Sequence, residues 1–103
     1  MQVEELRALQ TRLEEVVRQG WSERDPDVRV SSVLRDGNKI DMTVISKRFE
    51  GLEGRDREAS FWPVFEPIPK YDLVYMTYCL LLTPDEAARR NSATGRDNTD
   101  DWA

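Results

Sequence analysis

Histidine is absent from this 103-residue chain, so no Ser/His or Cys/His nucleophile pair can be assembled from it. Acidic side chains are plentiful, but no pattern converges two of them in an apolar pocket for general acid–base work. Neither a phosphate-cradling Walker loop nor a dinucleotide fingerprint is present. These absences point away from an enzyme. Cysteine is nearly missing too. Cys79 stands alone, cannot form an internal disulfide, and suits a reducing cytoplasm. No apolar run approaches the roughly 20 residues needed to span a bilayer, and the longest, residues 73–82, is strand-sized. The N-terminus carries Glu4 and Glu5 and lacks the basic start and apolar block of a signal peptide. A cytoplasmic location without membrane association is the expectation.

What is present suffices for one modest core. Hydrophobic residues make up 39% of the chain and charged residues 34%, the balance of a single well-solvated domain of roughly 100 residues. The net charge of −5 is a poor background for nonspecific binding to phosphate backbones. It is unevenly spread. Residues 29–57 hold seven basic and five acidic side chains, a weakly basic middle between two acidic ends.

Val3, Leu6, Leu9, Leu13, Val16 and Val17 recur at three- and four-residue spacing, which predicts an amphipathic helix over residues 2–19 with one buried face. Glu4 and Glu5 suit its N-terminal dipole, and Gly20 is placed to cap its C-terminus. After a polar connector through Pro26, a strand is predicted over residues 28–35, with Val28, Val30 and Leu34 on one face. Asp36-Gly37-Asn38 accepts positive φ and predicts a tight hairpin turn. The return strand, 39–46, points Ile40, Met42 and Val44 to one side, as in a sheet covered on one face. A helix is predicted to begin near Arg55 and to break at Pro63, which lacks the amide a helix interior needs. Residues 73–82 read as a strand apolar on both faces and well covered, running parallel to 39–46 after the crossover. Thr83-Pro84-Asp85-Glu86 then combines an N-cap, a first-position proline and first-turn acids. Polar residues 91–103 are expected to be a disordered tail.

The order α-β-β-α-α-β-α, with Val44-Ile45-Ser46 leading into Phe49-Glu50-Gly51 and with Leu82-Thr83-Pro84-Asp85-Glu86, resembles the BolA-like family. That family is related in fold to class II KH domains. The resemblance covers residues 3–90 and implies an α/β (α+β) domain, 1–90, with a three-stranded mixed sheet. Family members carry an Arg-His-Arg triplet at the helix start, where this chain has Arg57, Glu58 and Ala59. Their last strand opens with Ile-His-Ala, which spacing aligns with Val74, Tyr75 and Met76. In the family, that strand histidine and a Cys or His of the first hairpin loop form half of an iron–sulfur site shared with a monothiol glutaredoxin. Here the hairpin contributes Asp36, Gly37 and Asn38, and the only thiolate or imidazole donor in the chain is Cys79, which lies mid-strand as a small core hydrophobe.

The resemblance therefore implies a regulatory or adaptor module that binds a protein partner, glutaredoxin-like by analogy, with no cofactor and no metal ligands of its own. It is expected as a monomer or weak dimer, with stress-response or transcription-regulation roles by analogy. The alternative is weak nucleic-acid binding. Lys47, Arg48, Arg55 and Arg57 form the best basic cluster, in a region that in the family resembles a DNA-contacting surface. Asp56 and Glu58 interleave with it. Gly51-Leu52-Glu53-Gly54 matches the GxxG clamp of KH domains, but places Glu53 toward phosphate and reads more simply as a glycine turn out of the hairpin. Phe61, Trp62 and Phe65 are partner anchors or, at helical spacing, core.

Overall fold

The computed structural model describes residues 2–94, with side chains described through Arg90. Helix α1 runs Val3–Trp21. Its N-terminus is closed by the Gln2 amide donating to Glu5 Oε1 at 2.8 Å. Leu6, Leu9, Leu13, Val17 and Trp21 are its buried stripe, while Val3 at the helix start is exposed. Gly20 does not cap this helix. The helix continues to Trp21 and closes with the Ser22 amide on the Arg18 carbonyl. The glycine serves packing instead, because a Cβ there would run into Val64 Cγ2.

Strand β1, Arg29–Arg35, pairs antiparallel with β2, Lys39–Ile45, in the register Val30↔Val44 and Leu34↔Ile40. The connecting turn has positive φ at Asp36 (57°) and Gly37 (77°), as its Asp-Gly-Asn sequence favours. Strand β3, Met76–Leu82, lies parallel to β2, and the sheet order is β1-β2-β3. Helix α2 spans Gly54–Phe61, a 3-10 turn Trp62–Phe65 follows with Pro63 inside it, and α4 spans Pro84–Thr94. Together with the single turn α3, Lys70–Leu73, the described residues form a mixed α/β fold of four helices and a three-stranded mixed sheet.

Beside shifts of one or two residues at the ends of α1, β1 and β2, two boundaries differ more from the sequence expectation. Residues 73–75 are not strand. After Pro69, amides of Asp72 and Leu73 bond the Pro69 carbonyl and Tyr75 bonds the Asp72 carbonyl, so the apolar run begins as a helical turn that leaves Val74 exposed. Nor is β3 covered on both faces, since Thr77 and Tyr78 face solvent. At the other end, α4 reaches Thr94, three residues past Asn91, where the polar tail was expected to begin. Residues 95–103 of that tail lie outside the described residues. The helix start is as the sequence reads: Thr83 Oγ1 accepts the Glu86 amide at 3.1 Å, and Glu86 Oε1 accepts the Thr83 amide at 2.9 Å, a reciprocal capping box.

The core fills the space between α1 and one face of the sheet. Ile40, Met42 and Val44 are fully buried. Beyond β2 they give way to an aromatic cluster of Trp21, Phe49, Phe61 and Phe65. Trp21 lies 5.5 Å from Phe49 and 5.3 Å from Phe61, and Phe61 meets Phe65 edge-on at 5.5 Å, the tilted geometries that aromatic quadrupoles favour.

Candidate functional site

Three surfaces follow from this architecture: the basic turn after β2, the cleft between α2 and β3, and the open outer face of the sheet. The basic turn is anchored from below. Ser46, the residue after β2 and the N-cap of the 3-10 turn Lys47–Phe49, is fully buried. Its hydroxyl donates to Asp25 Oδ2 at 2.7 Å and accepts Trp21 Nε1 at 2.9 Å and the Arg48 amide at 3.1 Å. Asp25 is itself buried and also accepts the amides of Asp27 and Lys47. Burial opposes its ionisation, but the Ser46 hydroxyl and the two amides outweigh it and hold the carboxyl below its ordinary pKa. Phe49 then plugs the core, and Gly51 turns the chain at φ +80°. Gly51 to Gly54 is thus a turn out of the hairpin, with Glu53 as the exposed N-cap position of α2.

The four basic candidates do not form one surface. Lys47 and Arg48 lie exposed on the 3-10 turn Lys47–Phe49, and Arg55 lies exposed in the first turn of α2. Arg48 Nε donates to the Arg24 carbonyl at 2.8 Å. Arg57 turns inward. Its guanidinium donates to the carbonyls of Leu52 and Leu81 at 2.8 and 2.9 Å and forks onto both oxygens of Glu86 at 2.6 and 2.9 Å. This is a clip tying α2 to β3 and α4. Hydrogen bonding to Glu86 raises the Arg57 pKa, and Arg57 in turn holds the Glu86 carboxyl at about 2. Four donor bonds to protein acceptors leave little of Arg57 for a phosphate.

The aromatic triplet divides as well. Phe61 and Phe65 are core, but Trp62 is 45% exposed, its ring edge-on to Phe65 at 5.1 Å. Trp62 stands at the mouth of a cleft of about 650 Å³ between α2 and β3, with Arg55, Glu58 and Ala59 on the helix side and Met76, Thr77, Tyr78, Cys79 and Leu81 on the strand side. Tyr78 is 52% exposed. A bulge shapes this wall: the pairing passes from Ile40↔Met76 to Asp41↔Tyr78, leaving Thr77 as an extra residue. Strict alternation would put Met76 and Cys79 on opposite faces. The extra residue lets both turn inward, and Cys79 pairs with buried Met42. Burial, followed by the nearby Glu58 carboxylate, pushes the Cys79 thiol up to about 12, so this half-buried group at the floor of the cleft is a poor nucleophile.

The outer sheet face is the third surface, an open groove of about 780 Å³ where Val33, Tyr78, Ile45, Leu80 and Leu82 lie beside Ala87 of α4. One polar chain crosses all three strands there: Arg35 Nε donates to Asp41 Oδ2 at 2.6 Å and Thr77 Oγ1 to Asp41 Oδ1 at 3.0 Å. The Arg35 bond, against the opposing effect of burial, lowers the Asp41 pKa.

Among the described residues, no three His, Cys, Asp or Glu side chains converge to hold a metal ion, and no helix is long and apolar enough to cross a membrane. Compared with models of known protein families, the chain matches none. No curated protein matches it. Sequence reading missed Tyr78 and Met76 as lining residues because the bulge that aims them leaves no composition signal. It named Trp62 as a possible anchor, but could not separate it from its two buried neighbours.

Proposed function

We propose that this chain is a non-enzymatic, BolA-like adaptor that binds a protein partner through the α2–β3 cleft, acting in the cytoplasm as a monomer or weak dimer. The observation that carries this reading is the exposure of two large aromatics, Trp62 and Tyr78, along one cleft of mixed lining. Large aromatics at a concave surface are the groups from which interface hot spots are built. A glutaredoxin-like protein is the partner the family resemblance supports. Partnership proceeds without iron–sulfur ligands from this chain, since Asp36, Gly37 and Asn38 occupy the hairpin turn and the half-buried Cys79 thiol is pushed up to about 12 by burial. The second reading, weak nucleic-acid binding, is favoured only by the exposure of Lys47, Arg48 and Arg55. It is weakened by the inward turn of Arg57.

The test titrates the protein with an apo monothiol glutaredoxin and, separately, with labelled DNA and RNA at low and high salt. The adaptor reading expects protein binding that Trp62→Ala weakens at least tenfold and that salt barely changes. Nucleic-acid binding with a steep salt slope, abolished by reversing Lys47, Arg48 and Arg55 and indifferent to Trp62, would replace it with the second reading. In the presence of iron and sulfide, the mixture is expected to show only the glutaredoxin's own cluster spectrum.

A further inference from the structure

The sheet order β1-β2-β3 makes β3 an edge strand, and the phase of its ladder beyond the bulge at Thr77 can be read from its C-terminal end. The Ser46 amide donates to the Leu82 carbonyl at 2.9 Å. In a parallel ladder alternate residues turn both backbone groups to the neighbour. Leu82 and Leu80 therefore face β2, and Leu81 and Cys79 face away from it. The Leu81 carbonyl meets this expectation, because it accepts Arg57 Nη1 at 2.9 Å from outside the sheet. The remaining outward groups are the Leu81 amide and both the amide and the carbonyl of Cys79. Among the described residues no bond other than the Arg57 clip is made to this edge. Unpaired strand groups of this kind are a template for another chain.

We propose that β3 takes an extended peptide segment of a partner protein as a fourth strand, seated in the cleft between β3 and α2. This rests on the adaptor reading and names its binding mode. Main-chain bonds to Cys79 and the Leu81 amide supply the attachment, and the clip from Arg57 to Leu81 ends the added ladder. The cleft follows β3 from Met76 to Leu81, a stretch of roughly 17 Å at strand rise. Directly opposed residues share a face. The peptide residue opposite Cys79 thus sends its side chain inward toward Ala59 and Trp62, where an apolar group fits, while its neighbours point outward beside Tyr78 and Leu80. A single extended chain is the occupant because α2 and Trp62 stand along this edge. A second copy would have to bring its own α2 into the same space.

The experiment selects binders from a random dodecapeptide display library against the full chain, then remakes the tightest peptide with N-methyl groups at alternate amides. Strand addition expects one alternate set to weaken binding at least tenfold and the intervening set to leave it within threefold. It also expects hydrogen exchange at the Cys79 and Leu81 amides to slow at least tenfold in the complex. Ala59→Trp, a change at an exposed position checked for an unaltered melting temperature, should abolish binding. Equal tolerance of both methylated sets, or unprotected Cys79 and Leu81 amides, would overturn strand addition. If Trp62→Ala still weakened binding, the adaptor reading would survive that result. No selected binder, or binders indifferent to both Ala59→Trp and Trp62→Ala, would overturn both. Concentration-dependent protection of these amides without peptide would assign the edge to a second copy and overturn the peptide proposal.

Discussion

Replacing Glu86 by Gln removes the charge from the clip that holds α2 against β3 and α4 while keeping its shape. Glu86 receives two bonds from Arg57 and one from the Thr83 amide. The Arg57 bonds first, and then that amide, bring its pKa to about 2 from an ordinary 4.5. At about 1.4 kcal/mol per pH unit, the interval corresponds to about 3 kcal/mol. The Glu86 side chain is 31% exposed and that of Arg57 13%, so solvent screening reduces the contribution to about 1–2 kcal/mol. A depressed carboxyl pKa stabilises fully above the unfolded value and loses that contribution as pH falls through the folded value. Urea unfolding at neutral pH should therefore find Glu86→Gln about 1–2 kcal/mol less stable than the parent. The gap should close as pH falls from about 4.5 towards about 2, because the parent's carboxylate is then protonated. Asp25 and Asp41, also depressed, titrate in both proteins and cancel in the comparison. A gap that stays constant over this range would show that Glu86 acts through packing, and the electrostatic account of the clip would be wrong.

Gly20→Ala should destabilise by about 1 kcal/mol. The roughly 1 kcal/mol of helix propensity gained is outweighed by an overpacking cost of about 1–3 kcal/mol against Val64, and Val64→Ala in the same chain should restore the loss. Stabilisation by Gly20→Ala alone would refute the close approach. Asp25→Ala leaves the Ser46 hydroxyl and Lys47 amide short of a buried acceptor and should cost about 2–4 kcal/mol in denaturant unfolding, whereas a cost under about 0.5 kcal/mol would place the carboxylate in solvent. With its pKa near 12 instead of 9.0, Cys79 should react with a disulfide reagent at mildly alkaline pH about a thousandfold more slowly in the folded chain than in urea. Equal rates would put the thiol on the surface.

Much of the fold could be read from local rules because those rules go unopposed here. The hairpin around Asp36-Gly37 and the capped start of α4 each use a turn or cap chemistry that few other structures tolerate, and the alternation in 39–46 admits only one buried face. The misreadings share a cause: in each, a tertiary contact decides a residue's role. Gly20 looks like a helix terminator until Val64 is seen against it. Asp25 sits in a polar connector that reads as solvated, yet the exit of β2 folds over it. Arg57 matches a basic cluster by sequence, and only the arrival of Glu86, twenty-nine residues later, turns it inward. Thr77 is one threonine among apolar residues, and nothing local marks it as the surplus residue of a bulge.

The buried group of Trp21, Asp25 and Ser46 has a consequence for how the segment can be moved between proteins. Its members come from the end of α1, the connector and the residue just after β2, and the Asp25 carboxylate directly holds the Lys47 amide. The hairpin and the turn that follows it are therefore not a portable module. Grafted onto another scaffold without residues 21–25, Ser46 would lose both side-chain partners and the Lys47–Phe49 turn its floor, and Phe49 would have no aromatic neighbour at position 21. An insertion in the short connector, at a site that looks tolerant because it is polar and surface-lying, would displace Lys47 and Arg48 more than two dozen positions downstream of Trp21.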